Sequence, residues 1–269
     1  MTAIKAVIAL LVLLPGVVRS QGTPARKLAA VLAHPDDEGP AAPVLARYAR
    51  EGVEVHLVIA TTGGQGTGFA AARGETAPGE EDLIRVRTGE AVCSAEALGA
   101  RRPVLLGFPD GKLGDFIGDR ALVYRLTQEI ADALQAIRPD VIITWGPEGG
   151  MGHPDHRMVG SIVTQLQRAG APGVPERIFF MYMSAEMIQA ASPQRGAPPL
   201  LVPELRHVTT LVEFSPQDLE AGTRSMTCHK SQFNAEMVAR LSAASARVWK
   251  GTISFIAAFP GASSSDLFR

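Results

Sequence analysis

The chain has 269 residues, 46% of them hydrophobic, and 26 basic residues nearly balance 27 acidic ones for a net charge of −1. That size and apolar content suffice for one large α/β domain with a real core, and the absence of a basic stripe argues against a nucleic-acid partner. Two cysteines, Cys93 and Cys228, lack the close spacing of a cysteine zinc site.

Lys5 precedes an apolar run over residues 6–14, too short to span a bilayer; Pro15-Gly16 breaks it, and Val18-Arg19-Ser20 suits a signal peptidase. The expectation is a signal peptide over residues 1–20, export to a periplasmic or extracellular space, and a single mature domain over 21–269 with no membrane span. A single N-terminal membrane anchor is the alternative. Residues 27–33 read as a buried strand that runs into His34-Pro35-Asp36-Asp37-Glu38. Pro40 and Pro43 suit the first turn of a helix running to about Arg50. Gly52 ends it, and residues 53–60 form a second strand. A Gly-rich loop follows over 61–79, then a helix over 83–98 closed by Gly99. Its Gly63-Gly64-Gln65-Gly66 start reads as a site rim rather than a phosphate cradle, because a dinucleotide fingerprint belongs after the first strand.

A third strand covers 103–107, a long amphipathic helix 119–137 and a fourth strand 141–144, which leads through Trp145 towards His153-Pro154-Asp155-His156. A helix over 156–167 is expected next, with Asp155 placed to cap it. Strands at 177–183 and 207–214, a surface loop at 189–203, and helices at 216–229 and 234–248 complete the chain. Cys93 and Cys228 fall in helix-like stretches and read as buried free thiols, although export permits a disulfide. Strands alternating with helices imply a three-layer, Rossmann-like α/β/α sandwich with a mostly parallel sheet. In the common 3-2-1-4-5 strand order, the first and fourth strands are neighbours where the order reverses, which is where ligands bind. Those two strands carry the two His-Pro-Asp runs.

A catalytic zinc site needs imidazoles and a carboxylate with one position open for water. His34 and Asp37 can grip one ion if the backbone bends, and Pro35 pre-shapes that bend. His156 can be the third ligand. Asp36 is then free to take a proton from the attacking water, and His153 to stabilise an oxyanion or protonate a leaving group. Asp155 suits an imidazole partner that fixes a tautomer. Glu38 opens a helix and reads as a complement to its dipole. Asp110 reads as a turn residue, His56 and His207 as structural histidines, and Trp145 as either core or a sugar-stacking platform.

The two runs, Ala33-His34-Pro35-Asp36-Asp37-Glu38 and Gly152-His153-Pro154-Asp155-His156, resemble those of the PIG-L/LmbE-like family of metal-dependent N-acetylglucosaminyl de-N-acetylases. Thr61-Thr62-Gly63-Gly64, Arg87-Thr88-Gly89-Glu90, Gly107-Phe108-Pro109-Asp110-Gly111 and His229-Lys230-Ser231-Gln232 extend the resemblance to most of the mature chain. It implies zinc on His34, Asp37 and His156, Asp36 as general base, His153 as acid or oxyanion stabiliser, and Arg87 as a substrate-orienting residue. Met151 stands where some relatives carry an aromatic hydroxyl. The implied activity is removal of an acetyl group from an amino sugar or a glycan containing one. Alternatives are an amidase or esterase acting on another sugar or thiol conjugate, and a non-catalytic carbohydrate-binding protein; iron, cobalt or manganese could replace zinc. Residues 1–24 fused to a reporter that works only outside the cytoplasm should be active, with the mature N-terminus near Gln21. Recovery of the intact N-terminus on cytosolic protein would overturn the expected export.

Overall fold

The structure is a computed structural model that describes residues 24–67, 70, 74–115, 118–191, 202–259, 261 and 264–269. The expected signal peptide and most of the 189–203 loop lie outside the described residues. In chain order the elements are β1 Lys27–Leu32, α1 Ala42–Arg50, β2 Glu54–Thr61, α2 Glu80–Leu98, β3 Val104–Phe108, α3 Arg120–Ile137 and β4 Val141–Thr144. The second half adds α4 Pro154–Arg168, β5 Ile178–Met181, α5 Ala185–Ala191, β6 Thr210–Glu213, α6 Pro216–Cys228, α7 Ala235–Trp249 and β7 Thr252–Ala257.

Among the described residues these strands form one sheet in the order β3-β2-β1-β4-β5-β7-β6. The first five pair in parallel, and β7 runs antiparallel to both β5 and β6. Alternation along β1 divides the core in two: Leu28, Ala30 and Leu32 face a cluster shared with α1, while Ala29, Val31 and Ala33 face one shared with α3 and α4. Burial on both faces explains why β1 is continuously apolar. Helix α3 turns a buried stripe of Leu122, Leu126, Ile130 and Leu134 to the sheet, and Asp119 caps it by accepting from the Leu122 N–H at 2.8 Å. Helix α2 starts at Glu80, three residues before the expected point, because Glu80, Glu81 and Asp82 favour a helix N-terminus; Gly99 closes it at φ 72°. No helix of the described residues is long and apolar enough to cross a membrane.

Four expectations need correction. The chain does not end its regular structure in helices: β7 follows α7, carrying Ile253 and Phe255 into the core. Its Ile-Ser-Phe alternation was the available signal. His207 lies in a 3-10 turn, Leu205–His207, and the strand begins at Thr210. The N-cap of α4 is His153, whose Nδ1 accepts from the Asp155 N–H at 3.2 Å. Asp155 therefore sits inside the first turn, and its carboxylate is used elsewhere. Finally, Cys93 and Cys228 form a disulfide, their Cα atoms 5.7 Å apart, because α2 and α6 pack side by side.

The disulfide closes a loop of 135 residues, so it restricts the unfolded chain strongly. The double variant Cys93→Ser/Cys228→Ser should lose about 2–4 kcal/mol of stability in denaturant unfolding. A loss below about 0.5 kcal/mol would show that helix packing alone holds α2 against α6.

Candidate metal centre

Strands β1 and β4 are parallel neighbours, with Ala30 opposite Ile143, so their carboxyl ends deliver the two His-Pro-Asp runs to one place. The Thr144 hydroxyl ties the pair by donating to the Val31 carbonyl at 2.8 Å. His34 Nδ1 lies 3.1 Å from His156 Nε2, which lies 3.1 Å from Asp37 Oδ1; His34 Nδ1 and Asp37 Oδ2 are 3.6 Å apart. Donor atoms about 2.0–2.1 Å from a tetrahedral zinc stand about 3.3 Å from one another. The two separations from His156 Nε2 match that spacing.

Their outer atoms explain why these donors point inward. His156 Nδ1 faces the Gly149 carbonyl at 3.0 Å; a carbonyl only accepts, so Nδ1 carries the hydrogen and Nε2 keeps its lone pair. His34 Nε2 faces Asp110 Oδ1 at 3.1 Å and Asp155 Oδ2 at 3.3 Å, which leaves Nδ1 as the free donor atom. Asp37 Oδ2 accepts from the Ala33 N–H at 2.9 Å, the His34 N–H at 2.8 Å and Trp145 Nε1–H at 3.0 Å, so Oδ1 alone remains. Against the cost of burial, the Asp37, Asp110 and Asp155 carboxylates hold the His34 pKa well above its ordinary value. Burial likewise opposes ionisation of Asp37, but His156 and His34 hold its pKa well below the ordinary one. The cluster attracts positive charge, as a proton or as a cation.

The structure brings the other expected residues to the same place. The His153 ring lies edge-on to His34, centroids 4.6 Å apart, and 5.0 Å from His156. Burial lowers the His153 pKa, and the two neighbouring imidazoles lower it further. Its Nδ1 accepts from Asp155 N–H, so the neutral ring bears its hydrogen on Nε2. Asp155 is wholly buried: Oδ2 accepts from the Gly111 N–H at 2.8 Å and Oδ1 from Leu113 N–H at 2.9 Å. It thus fastens the loop after β3 beneath His34. Asp36 holds φ at 102°, a backbone region costly for a residue with a side chain. Burial raises its pKa, partly offset by Arg87 and His229. Arg87 is only 3% exposed and reaches the site through Asp36: its Nη2 lies 3.0 Å from Asp36 Oδ2 and also donates to the Pro35 carbonyl, while Nη1 donates to Gly63 O at 2.8 Å. A Cβ on Gly63 would stand 2.6 Å from that guanidinium, so the glycine-rich rim leaves room for Arg87.

Several side chains at the site hold places that the local sequence does not signal. Asp110 is a buried partner of His34 whose Oδ2 accepts from Gln65 N–H at 2.9 Å; its place in a Pro-Asp-Gly turn masked this. Glu38 does not serve a helix dipole. It is buried, with Oε1 2.6 Å from His229 Nε2 and accepting from the hydroxyls of Ser94 and Ser225. Its Oε2 accepts from the Asp36 N–H at 3.2 Å, bracing the unusual backbone there. The Trp145 indole is buried and stacks flat on His156, centroids 4.2 Å apart.

The PIG-L family pattern, described as GlcNAc-PI de-N-acetylase, matches residues 29–167. The chain belongs to the PIG-L family. Among its relatives is the 1D-myo-inositol 2-acetamido-2-deoxy-alpha-D-glucopyranoside deacetylase of Rhodococcus jostii (strain RHA1), 34% identical over 165 residues, 56% of each chain. The chain thus spans little more than half the length of that relative. The protein of the same name from Kineococcus radiotolerans is 30% identical over 267 residues, covering 81% of this chain and 72% of its own. The N,N'-diacetylchitobiose deacetylase of Pyrococcus horikoshii has the same fold, with a TM-score of 0.61 at 18% identity over 87% of this chain and 84% of its own.

Within this PIG-L chain, the Glu38–His229 pair yields a pH test. Burial opposes both charges, yet His229 holds the Glu38 pKa below its ordinary 4.5, and Glu38 holds the His229 pKa above its ordinary 6.5. The glutamate's contribution is complete above its unfolded pKa and lost as pH falls through the folded one. The histidine's is complete below its unfolded pKa and lost as pH rises through the folded one. Glu38→Gln should therefore cost most, about 3–5 kcal/mol, between about pH 4.5 and 6.5, and progressively less on either side. Denaturant unfolding of parent and variant across pH measures it; a flat difference would remove the charge pairing.

Proposed function

We propose that this chain is a zinc-dependent hydrolase that removes the acetyl group from the nitrogen of an amino sugar or of a glycan containing one. The observation that carries the reading is the approach of His34 Nδ1 and Asp37 Oδ1 to within 3.1 Å of His156 Nε2, with the other side-chain donor or acceptor atom of each residue already engaged. The names of the relatives support an N-acetylated amino-sugar substrate. His34, Asp37 and His156 would hold the cation, which lowers the pKa of a coordinated water to about 7 and polarises the amide carbonyl.

In this reading Asp36 accepts the proton of the attacking water and passes it to the departing amine. Its basicity suits that task, since burial raises its pKa. Arg87 fixes one oxygen of Asp36 and leaves the other for the proton, a positioning role in place of the substrate contact implied by resemblance. His153 donates its Nε2–H to the oxygen on which charge develops. The depressed pKa and the Asp155 N–H on Nδ1 favour this neutral form over an imidazolium acid. Export belongs to the same proposal, and the Cys93–Cys228 disulfide supports it, because cystines persist in oxidising compartments.

The test is a panel of N-acetylated amino sugars incubated with zinc-loaded protein, reading released acetate and free amine. Hydrolysis of sugar esters or thiol-conjugate amides with none of the N-acetyl sugars would overturn the substrate class. With a confirmed substrate, Asp36→Asn should keep its metal while kcat falls by about 10²–10⁴. His153→Ala should also keep its metal and lower kcat with KM little changed. Turnover within a few-fold of the parent in Asp36→Asn would remove it as the base.

A further inference from the structure

We propose that Trp145 is a positioning residue for the metal, coupling the two His-Pro-Asp runs and confining Asp37 to coordination through one oxygen; this rests on the ligand set proposed above. Trp145 follows β4 directly and is 4% exposed. Its single polar atom is spent on the first run: Nε1–H donates to Asp37 Oδ2 at 3.0 Å. Its ring is spent on the second, lying parallel to the His156 imidazole within 1° at a centroid distance of 4.2 Å. The other donors to that Asp37 oxygen, the Ala33 and His34 N–H groups, belong to the first run itself. Trp145 is thus the side chain that joins a ligand of one run to a ligand of the other from outside both.

The surroundings are shaped for that indole. A Cβ on Gly150, which has φ +62°, would stand 2.5 Å from the ring, and one on Gly160 would stand 2.1 Å from the Trp145 carbonyl oxygen. Gly160 lets α4 approach the end of β4, and Gly150 lets the preceding turn pass under the ring. The same turn presents the Gly149 carbonyl to His156 Nδ1 at 3.0 Å. His156 is therefore fixed along one edge by a carbonyl and across one face by the indole, with Nε2 left aimed at Asp37 and His34. With three donors on Oδ2, Asp37 has one oxygen to offer, which suits a four-coordinate cation rather than a larger one that takes a carboxylate through both oxygens.

The experiment measures the zinc Kd of purified protein by competition with a chromophoric chelator. Trp145→Phe keeps an aromatic face and loses the N–H. Replacing residue 145 by β-(3-benzothienyl)alanine keeps the full bicyclic ring and removes the N–H alone, so it serves where the phenylalanine variant fails to fold. Each should raise Kd by about 10–100-fold, the usual cost of losing a group that orients a ligand. A benzothienylalanine protein whose Kd stays within twofold of the parent's overturns the proposal, whatever its thermal stability. His156→Ala, measured alongside, separates the two readings: parent-like zinc affinity there removes the ligand set itself, whereas lost affinity there with an unchanged benzothienylalanine variant removes Trp145 alone.

Discussion

Burying the Asp37 carboxylate between the ends of β1 and β4 is tolerable only because both oxygens have partners. One accepts three N–H groups, and the other faces an imidazole nitrogen. An unpaired charge at that depth would cost several kcal/mol. Much of the local architecture follows from meeting that demand. The bend after β1 must return Asp37 over the backbone of Ala33 and His34, and β4 must end beside β1 so that Trp145 and His156 can reach it. Gly150 must lack a side chain so that the indole fits, and Gly160 so that α4 can approach the Trp145 backbone.

A second polar layer supports the site from the helical side. Glu38 gathers His229, Ser94 and Ser225 around one oxygen and uses the other to hold the Asp36 backbone. Arg87 of α2 reaches the same loop and pairs with Asp36. Ser94 lies on α2, Ser225 on α6 and His229 at its end, and the Cys93–Cys228 disulfide ties these two helices. The loop after β1 is therefore anchored by the sheet at Asp37 and by a helix pair at Glu38, and Asp36 stands immediately before both anchors. A residue at φ 102° is sustainable there because Arg87 holds the Pro35 carbonyl before it and three N–H groups hold the Asp37 carboxylate after it.

A third anchor comes from the loop after β3. Asp155 accepts backbone N–H groups from Gly111 and Leu113 and presents its carboxylate to His34, so the start of α4 organises a loop supplied by a distant strand. Asp110, carried by that loop, faces the same imidazole. Three strand ends, from β1, β3 and β4, thus converge on one histidine. Binding beyond the carboxyl ends of strands, where strand order reverses, is the general habit of open parallel sheets, and β1 and β4 flank that reversal here.

The sequence by itself determined the alternating α/β architecture, the parallel pairing of the motif-bearing strands and the two His-Pro-Asp runs that meet at the candidate metal centre. Those features depend on local signals: apolar runs, glycine and proline punctuation, and two short runs rich in donor atoms. Tertiary structure decided the partners. Asp155 looked like a cap because capping is a local role, but the fold placed His153 at the cap and gave Asp155 to the 111–114 loop. Cys93 and Cys228 look like separate thiols in the sequence, because 135 residues of separation carry no information about distance until α2 meets α6. Glu38 looked like a dipole complement until His229, 191 positions away, arrived beside it. Trp145 was open between core and sugar platform, and only the approach of β1 and α4 assigned its N–H to Asp37 and its face to His156. Residue type and spacing set which chemistry is available; which atom meets which is set by contacts between segments far apart in the chain.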